Sequence, residues 1–244
     1  TLTNATAVTY GNNTMLRFIR LWAKPRKIIK NFQGVDFDKV RAPMELDSLK
    51  DKLGLKNKTI IFSPRMFNSN SNIDIIIQTI PEIIKVYPNA IYLFSCHLGL
   101  KSYDLKIKQI IKDLDVSKYC LFLDEIEQVE MPKYYKISDV VLSILTSDAM
   151  PATVLETMAA RTPQVLSKIS IYMDTFSQFA NFSALRDVNS TIDAIIIALS
   201  RGNEQKHIIN RAFEWVLENA NEKTINDNLE KNYLELLNNN CSRQ

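Results

Sequence analysis

Five short runs of β-favouring apolar residues recur along the chain: Thr59–Phe62, Ala90–Ser95, Cys120–Leu123, Val140–Ile144 and Gln164–Ser167. Between them, apolar residues return at three- and four-residue spacing over Ile73–Val86, Leu105–Leu114, Met131–Ile137 and Pro151–Ala160. A strand that is apolar throughout must be covered on both faces, and helices that alternate with strands can supply that cover. The alternation therefore predicts an α/β fold, a Rossmann-like doubly wound parallel sheet. Pro81 falls inside the first helical stretch and is expected to kink or divide it.

The rest of the chain reads differently. From Thr191 onward the pattern is helical, with Ile192, Ile195, Ile196 and Leu199 on one face. Residues 201–244 are expected to be C-terminal helices, with Asn238–Asn240 fraying at the end. Ahead of the sheet, Ala5–Tyr10 and Lys27–Lys30 resemble strands that flank a helical stretch from Thr14 to Trp22. Residues 1–40 read as the tail of another domain, with a linker near Asp38–Leu46. Residues 41–200 then form the ligand-binding domain.

Composition narrows the chemistry. Only 5 of the 244 residues are glycine, too few for a Walker-type or G-x-G-x-x-G phosphate loop. Cys96, Cys120 and Cys241 are odd in number and far apart, so they suggest neither a disulfide framework nor a zinc cluster. A reducing cytoplasm is the expected compartment, with the inner face of the membrane as the alternative. His97 and His207 are also far apart, and no metal is expected. A net charge of +3 gives no reason to expect nucleic acid as a partner. The basic stretch Lys24–Lys30 reads as a solvated linker face, with contact to an anionic membrane as the alternative. Ser147 has neither flanking glycines nor a partner histidine, so it is no nucleophile elbow.

The informative stretch is residues 147–163, directly after an apolar strand, where open α/β sheets bind their ligands. Pro151 suits the first position of a helix, with fixed φ and no amide hydrogen. The free amides around Ala149, Met150, Pro151, Ala152 and Thr153 would point into the crevice and could hold a diphosphate. Asp148 and Glu156 flank this start, and a carboxylate accepts from the two neighbouring hydroxyls of a sugar diol.

This stretch resembles the donor-site motif of the retaining GT-B-fold glycosyltransferases of family 4. There, two glutamates with seven residues between them bracket a strand–loop–helix turn. Glu156 matches the second, Asp148 replaces the first, and Met158-Ala159 and Pro163-x-Val165 fall where the family places them. Asn31–Asp36 resembles the family's interdomain linker. Ser63-Pro-Arg65 resembles its Gly-Arg turn, and Leu121–Leu123 with Tyr134-Tyr135 and Ser138–Val140 resembles the approach to the donor strand. Arg211–Leu237 is similar to its C-terminal helices. Two positions depart from the pattern. Asn70 stands where the family commonly has a diphosphate-binding lysine, and Asp124 where it often has glycine.

The resemblance implies a glycosyltransferase that moves a sugar, with retention, from a nucleotide-sugar to a glycan or lipid-linked acceptor. It assigns catalytic roles to Asp148 and Glu156. It assigns donor binding to Arg65, Asn70, Glu125 and the 149–153 turn. It implies no metal or other cofactor, and it makes this chain the donor-binding half, inactive without an N-terminal domain or partner subunit. Two other readings keep the same fold: a non-catalytic nucleotide-sugar-binding subunit, and, more weakly, a sugar-nucleotide epimerase.

Overall fold

The computed structural model describes residues 5–31, 33–95, 101–149, 151–200 and 202–241. The chain opens with β1 (Ala7–Tyr10), α1 (Asn13–Trp22) and β2 (Lys27–Lys30), in which the two strands pair in parallel. Two short helices follow, α2 (Phe37–Arg41) and α3 (Leu46–Lys52). Next come β3 (Thr59–Ser63), α4 (Ile73–Val86), β4 (Ala90–Ser95), α5 (Lys101–Asp113), β5 (Cys120–Leu123) and α6 (Met131–Ile137). The second wing is β6 (Val140–Ser143), α7 (Ala152–Ala159), β7 (Gln164–Ser167), α8 (Ser170–Phe176), β8 (Asn181–Ser183) and α9 (Val188–Leu199). Two longer helices, α10 (Asn203–Asn219) and α11 (Glu222–Cys241), complete it.

Six strands form one parallel sheet in the order β5-β4-β3-β6-β7-β8. Alternate residues serve opposite faces, as a pleat requires. Ile61, Tyr92, Val140, Leu142 and Val165 pack with the isoleucines of α4 and with α5 and α9. Ile60, Phe62, Leu93 and Val141 pack with α6, and Leu166 joins α7, α8 and α10. Both faces are covered, as the wholly apolar strands demand.

The strand order reverses between β3 and β6. The chain leaves β3 for one wing and β6 for the other, which opens a crevice at their carboxyl ends. Everything proposed for the site depends on this topology.

Three expectations need correction. Pro81 does not divide its helix: α4 runs through it. Only one backbone bond is forgone there, and Ile76, Ile77, Ile80 and Ile83, all fully buried, hold both halves on the sheet. The linker expected near residues 38–46 contains α2, capped by Asp36, whose Oδ1 accepts from the Lys39 amide at 3.1 Å. Asn238–Asn240 lie within α11, where neither glycine nor proline stops the helix.

The linker is zipped to the far end of the chain. The Val35 amide donates to the Ala220 carbonyl at 2.7 Å, and the Glu222 amide donates to the Val35 carbonyl at 3.1 Å. A Cβ on Gly34 would lie 2.6 Å from the Glu222 Cα, so only glycine lets the two segments come this close. Lys27 pairs with Glu235 at 2.6 Å, which ties α11 to the β1–β2 unit. Among the described residues, no helix is long and apolar enough to cross a membrane.

Candidate functional site

The turn after β3 and the loop after β6 meet at the crevice. Arg65 donates from Nε to Ser143 Oγ at 3.3 Å, and its Nη2 lies 3.5 Å from Asp148 Oδ2. Tyr172, from α8, donates its hydroxyl to the same carboxylate oxygen at 2.6 Å. The Ala149 amide donates to Asp148 Oδ1 at 2.7 Å. Burial keeps the Tyr172 phenol well above its ordinary pKa; the Asp148 charge adds to this and Arg65 opposes it. Tyr172 is therefore a permanent donor to Asp148.

At the end of β3, Ser63 Oγ and Arg65 Nη2 are both buried without a hydrogen-bond acceptor in the protein. Buried polar groups are nearly always satisfied, so each such atom calls for a partner. The start of α7 lies at the end of the β6 loop. Pro151 occupies the cap position rather than the first helical position expected. Ala152 and Thr153 open the helix, and their amides are among the four that no helical carbonyl can satisfy. Met150 lies outside the described residues.

Glu156 sits one turn inside α7. Tyr135 donates to its Oε2 at 2.8 Å, and Gln128 Nε2 donates to its Oε1 at 2.7 Å. Burial raises the Glu156 pKa, while Tyr135, Gln128 and the Arg65 charge act to lower it. Each oxygen keeps a lone pair beyond its protein donor, so the carboxylate can still accept from a ligand. A cavity of about 350 Å³ beside it is lined by Gln33, Asp36, Lys39, Gln128 and Pro132.

Asn70 is used internally. Its Nδ2 donates to the Ser147 carbonyl at 2.9 Å, and its Oδ1 accepts from the Ser147 amide at 2.9 Å. It therefore clamps the β6 loop against the turn after β3. Asn72, left-handed at φ 48° and fully buried, donates to the Ile144 carbonyl at 2.8 Å. Arg186 donates to Asn72 Oδ1 at 2.5 Å. The asparagine-rich loop is thus a set of side-chain bonds that shape the crevice. Glu125 is exposed in the loop after β5. Cys96 and His97 lie outside the described residues.

The structure therefore brings Arg65, Asp148 and the start of α7 to one crevice and sets Glu156 within the electrostatic reach of Arg65. Sequence reasoning missed Tyr172, Gln128 and Ser143, and it read Tyr135 only as part of the approach to the donor strand. No local pattern marks the first three, since each becomes relevant only through long-range placement.

A family model described as glycosyl transferases group 1 matches residues 46–215. The chain belongs to this glycosyltransferase family. A curated relative of the glycosyltransferase, alpha-monoglucosyldiacylglycerol synthase of Acholeplasma laidlawii, is 28% identical over 137 residues. That match covers 55% of this chain and 32% of the relative. Among solved structures, a glycosyltransferase from Rickettsia africae superposes with a TM-score of 0.85 at 17% identity, covering 95% of this chain and 64% of that one. Anabaena HepE, solved with UDP and glucose, gives 0.81 at 16% identity over 94% of this chain and 63% of its own. The chain thus spans about a third of the curated relative and under two thirds of these structures. The fold is Rossmann-like and matches that of GT-B glycosyltransferase neighbours.

Proposed function

We propose that this chain is the donor-binding half of a retaining glycosyltransferase of family 4. In this reading Arg65 and the first amides of α7 hold the diphosphate of a nucleotide-sugar and stabilise it as leaving group. That electrostatic role is the one phosphate chemistry most needs, and it requires no metal. Glu156 accepts from the ribose diol. Asp148, fixed by Tyr172, lies beside the anomeric carbon and stabilises the positive charge that develops as the glycosidic bond breaks. Asn70 acts through the loop it clamps, as a positioning residue, and Glu125 belongs to the outer wall beside the base. The acceptor binds against a second wall, supplied by an N-terminal domain or a partner subunit.

The observation that carries this reading is the pair of unsatisfied donors, Ser63 Oγ and Arg65 Nη2, at the end of β3. They lie where the sheet order reverses, and a phosphate oxygen would satisfy them. The UDP of Anabaena HepE favours a uridine nucleotide as donor. The name of the Acholeplasma relative favours a lipid acceptor over a soluble glycan, and a cytoplasmic site at the membrane face follows from that choice.

The non-catalytic reading draws on one observation: Asn70, in place of a lysine, is fully engaged with Ser147 and adds no charge to the crevice. Calorimetric titration with UDP, GDP and ADP tests binding. Transfer from the matching nucleotide-sugar, with and without an N-terminal domain and in EDTA, tests catalysis. Binding followed by transfer with the domain present supports the enzyme, and the anomeric configuration of the product by NMR reports retention. Binding that never leads to transfer favours the non-catalytic subunit.

A further inference from the structure

A helix cap asks only for an acceptor, and serine or aspartate serves there as well as asparagine. Asn12, the cap of α1, does more. Its Oδ1 accepts from the Met15 amide at 2.8 Å, which is the cap itself. Its Nδ2 donates to the Ala149 carbonyl at 3.3 Å. Asn12 is buried, at 8% exposure, so both halves of its amide are committed to protein partners.

Ala149 is the neighbour of Asp148. Its amide donates to Asp148 Oδ1 at 2.7 Å, and its carbonyl is the group that Asn12 holds. Both polar groups of this one backbone residue are therefore engaged, one by the carboxylate and the other from the β1–α1–β2 unit. The second oxygen of the carboxylate accepts from Tyr172, and α8, which carries Tyr172, lies against α1. The unit thus reaches Asp148 along two routes, through Ala149 and through α8. Water could replace Asn12 as a donor to the Ala149 carbonyl, since Ala149 itself is exposed. Water satisfies a carbonyl without fixing its place, so what Asn12 supplies is position.

We propose that Asn12 is a positioning residue for Asp148. By holding the Ala149 carbonyl it keeps the turn that carries the carboxylate in register with the crevice, and it makes that register depend on how the β1–α1–β2 unit is seated. The inference rests on the reading of Asp148 as the group beside the anomeric carbon.

Two substitutions separate this role from the capping of α1. Asn12→Ser keeps a neutral cap, but its side chain stops short of Ala149; Asn12→Ala loses both bonds. Solvent exchange read by NMR reports the two ends independently, with the Met15 amide following the cap and the Ala149 amide following the turn. Asn12→Ser should leave the melting temperature and Met15 exchange as they are and speed Ala149 exchange roughly three- to tenfold. Asn12→Ala should speed both and lower the melting temperature. In the longest chain the gene encodes, Asn12→Ser should lower kcat for transfer by a similar three- to tenfold, with the donor KM unchanged. In a D148N background Asn12→Ser should cost nothing further, because a residue that acts through Asp148 has nothing left to position.

Unchanged Ala149 exchange in Asn12→Ser overturns the proposal. So does a kcat that falls only in Asn12→Ala, in step with its melting temperature, which would make Asn12 a cap alone. Full additivity with D148N overturns it as well. An unaltered enzyme that transfers nothing would count against the transferase reading instead, and Ala149 exchange would still decide whether Asn12 holds the turn.

Discussion

Arg65 meets two carboxylates through one guanidinium. It pairs with Asp148 at 3.5 Å, and its charge holds down the pKa of Glu156. In the proposed reading a diphosphate in the crevice would accept from this guanidinium, while Tyr172 and the Ala149 amide keep Asp148 in place. Arg65→Ala should therefore weaken nucleoside diphosphate binding by about 1.5–3 kcal/mol, roughly ten- to a hundredfold or slightly more. Calorimetric titration reads this directly, and unchanged affinity would remove Arg65 from the site. Glu156 yields a pH prediction. Burial raises its pKa, and only the ionised form offers every lone pair to a diol. The preference for a ribonucleotide over its 2′-deoxy analogue should fall as pH drops through that raised pKa. Taking the ratio cancels titration of the phosphate itself. In Glu156→Gln the ratio should be low and flat with pH; a pH-dependent ratio in that variant would assign the effect to another group.

At the scale of elements, the N-terminus of α4 is the junction that holds the crevice in shape. Asp74, 3% exposed, receives Lys106 at 2.7 Å, Tyr103 at 3.0 Å and Arg186 at 3.3 Å. Burial pushes its pKa up, but the bonds from Lys106 and Tyr103 and the two cations outweigh that, so the net shift is downward. A carboxylate whose folded pKa is depressed stabilises the protein above its unfolded pKa and loses that contribution as pH falls through the folded value. Asp74→Asn should lower stability at neutral pH by about 1.5–3 kcal/mol. It should also flatten the acid limb of a melting-temperature profile; an unchanged acid limb would mean that other carboxylates set it.

Five of the six sheet strands were legible as apolar runs, because a strand buried on both faces leaves an unbroken signature. The strand Asn181–Ser183 was not, since three residues with Phe182 alone apolar show no period. Helix α8, Ser170–Phe176, was not read either. Asp148 and Glu156 were readable through a motif spanning one strand, loop and helix, and Arg65 through the separate Ser63-Pro-Arg65 turn. Their partners were not, because Tyr172, Gln128 and Tyr135 stand 24, 28 and 21 residues away from the carboxylates they contact. Side-chain bonds over such separations leave no local pattern.

Across the whole molecule, the segment around Val35 is joined to the α10–α11 junction. Gly34 lies against Glu222, Val35 is bonded on both sides of the α10–α11 junction, and Lys223 pairs with Asp38 at 2.7 Å. Gly34→Ala would force the two segments apart. Its first consequence should be faster hydrogen exchange at the Val35 and Glu222 amides, ahead of any change at the sheet; exchange that rises equally everywhere would mean general destabilisation instead. The joined segments also bear on movement. A single connecting strand would leave the β1–β2 unit free to twist and swing about the sheet in every direction. Here the linker and the α10–α11 junction cross the gap side by side and must flex together, while Lys27 and Glu235 oblige α11 to travel with that unit. Any displacement of the β1–β2 unit against the sheet would therefore have to bend both crossings at once, a constraint that a single connecting strand would not impose.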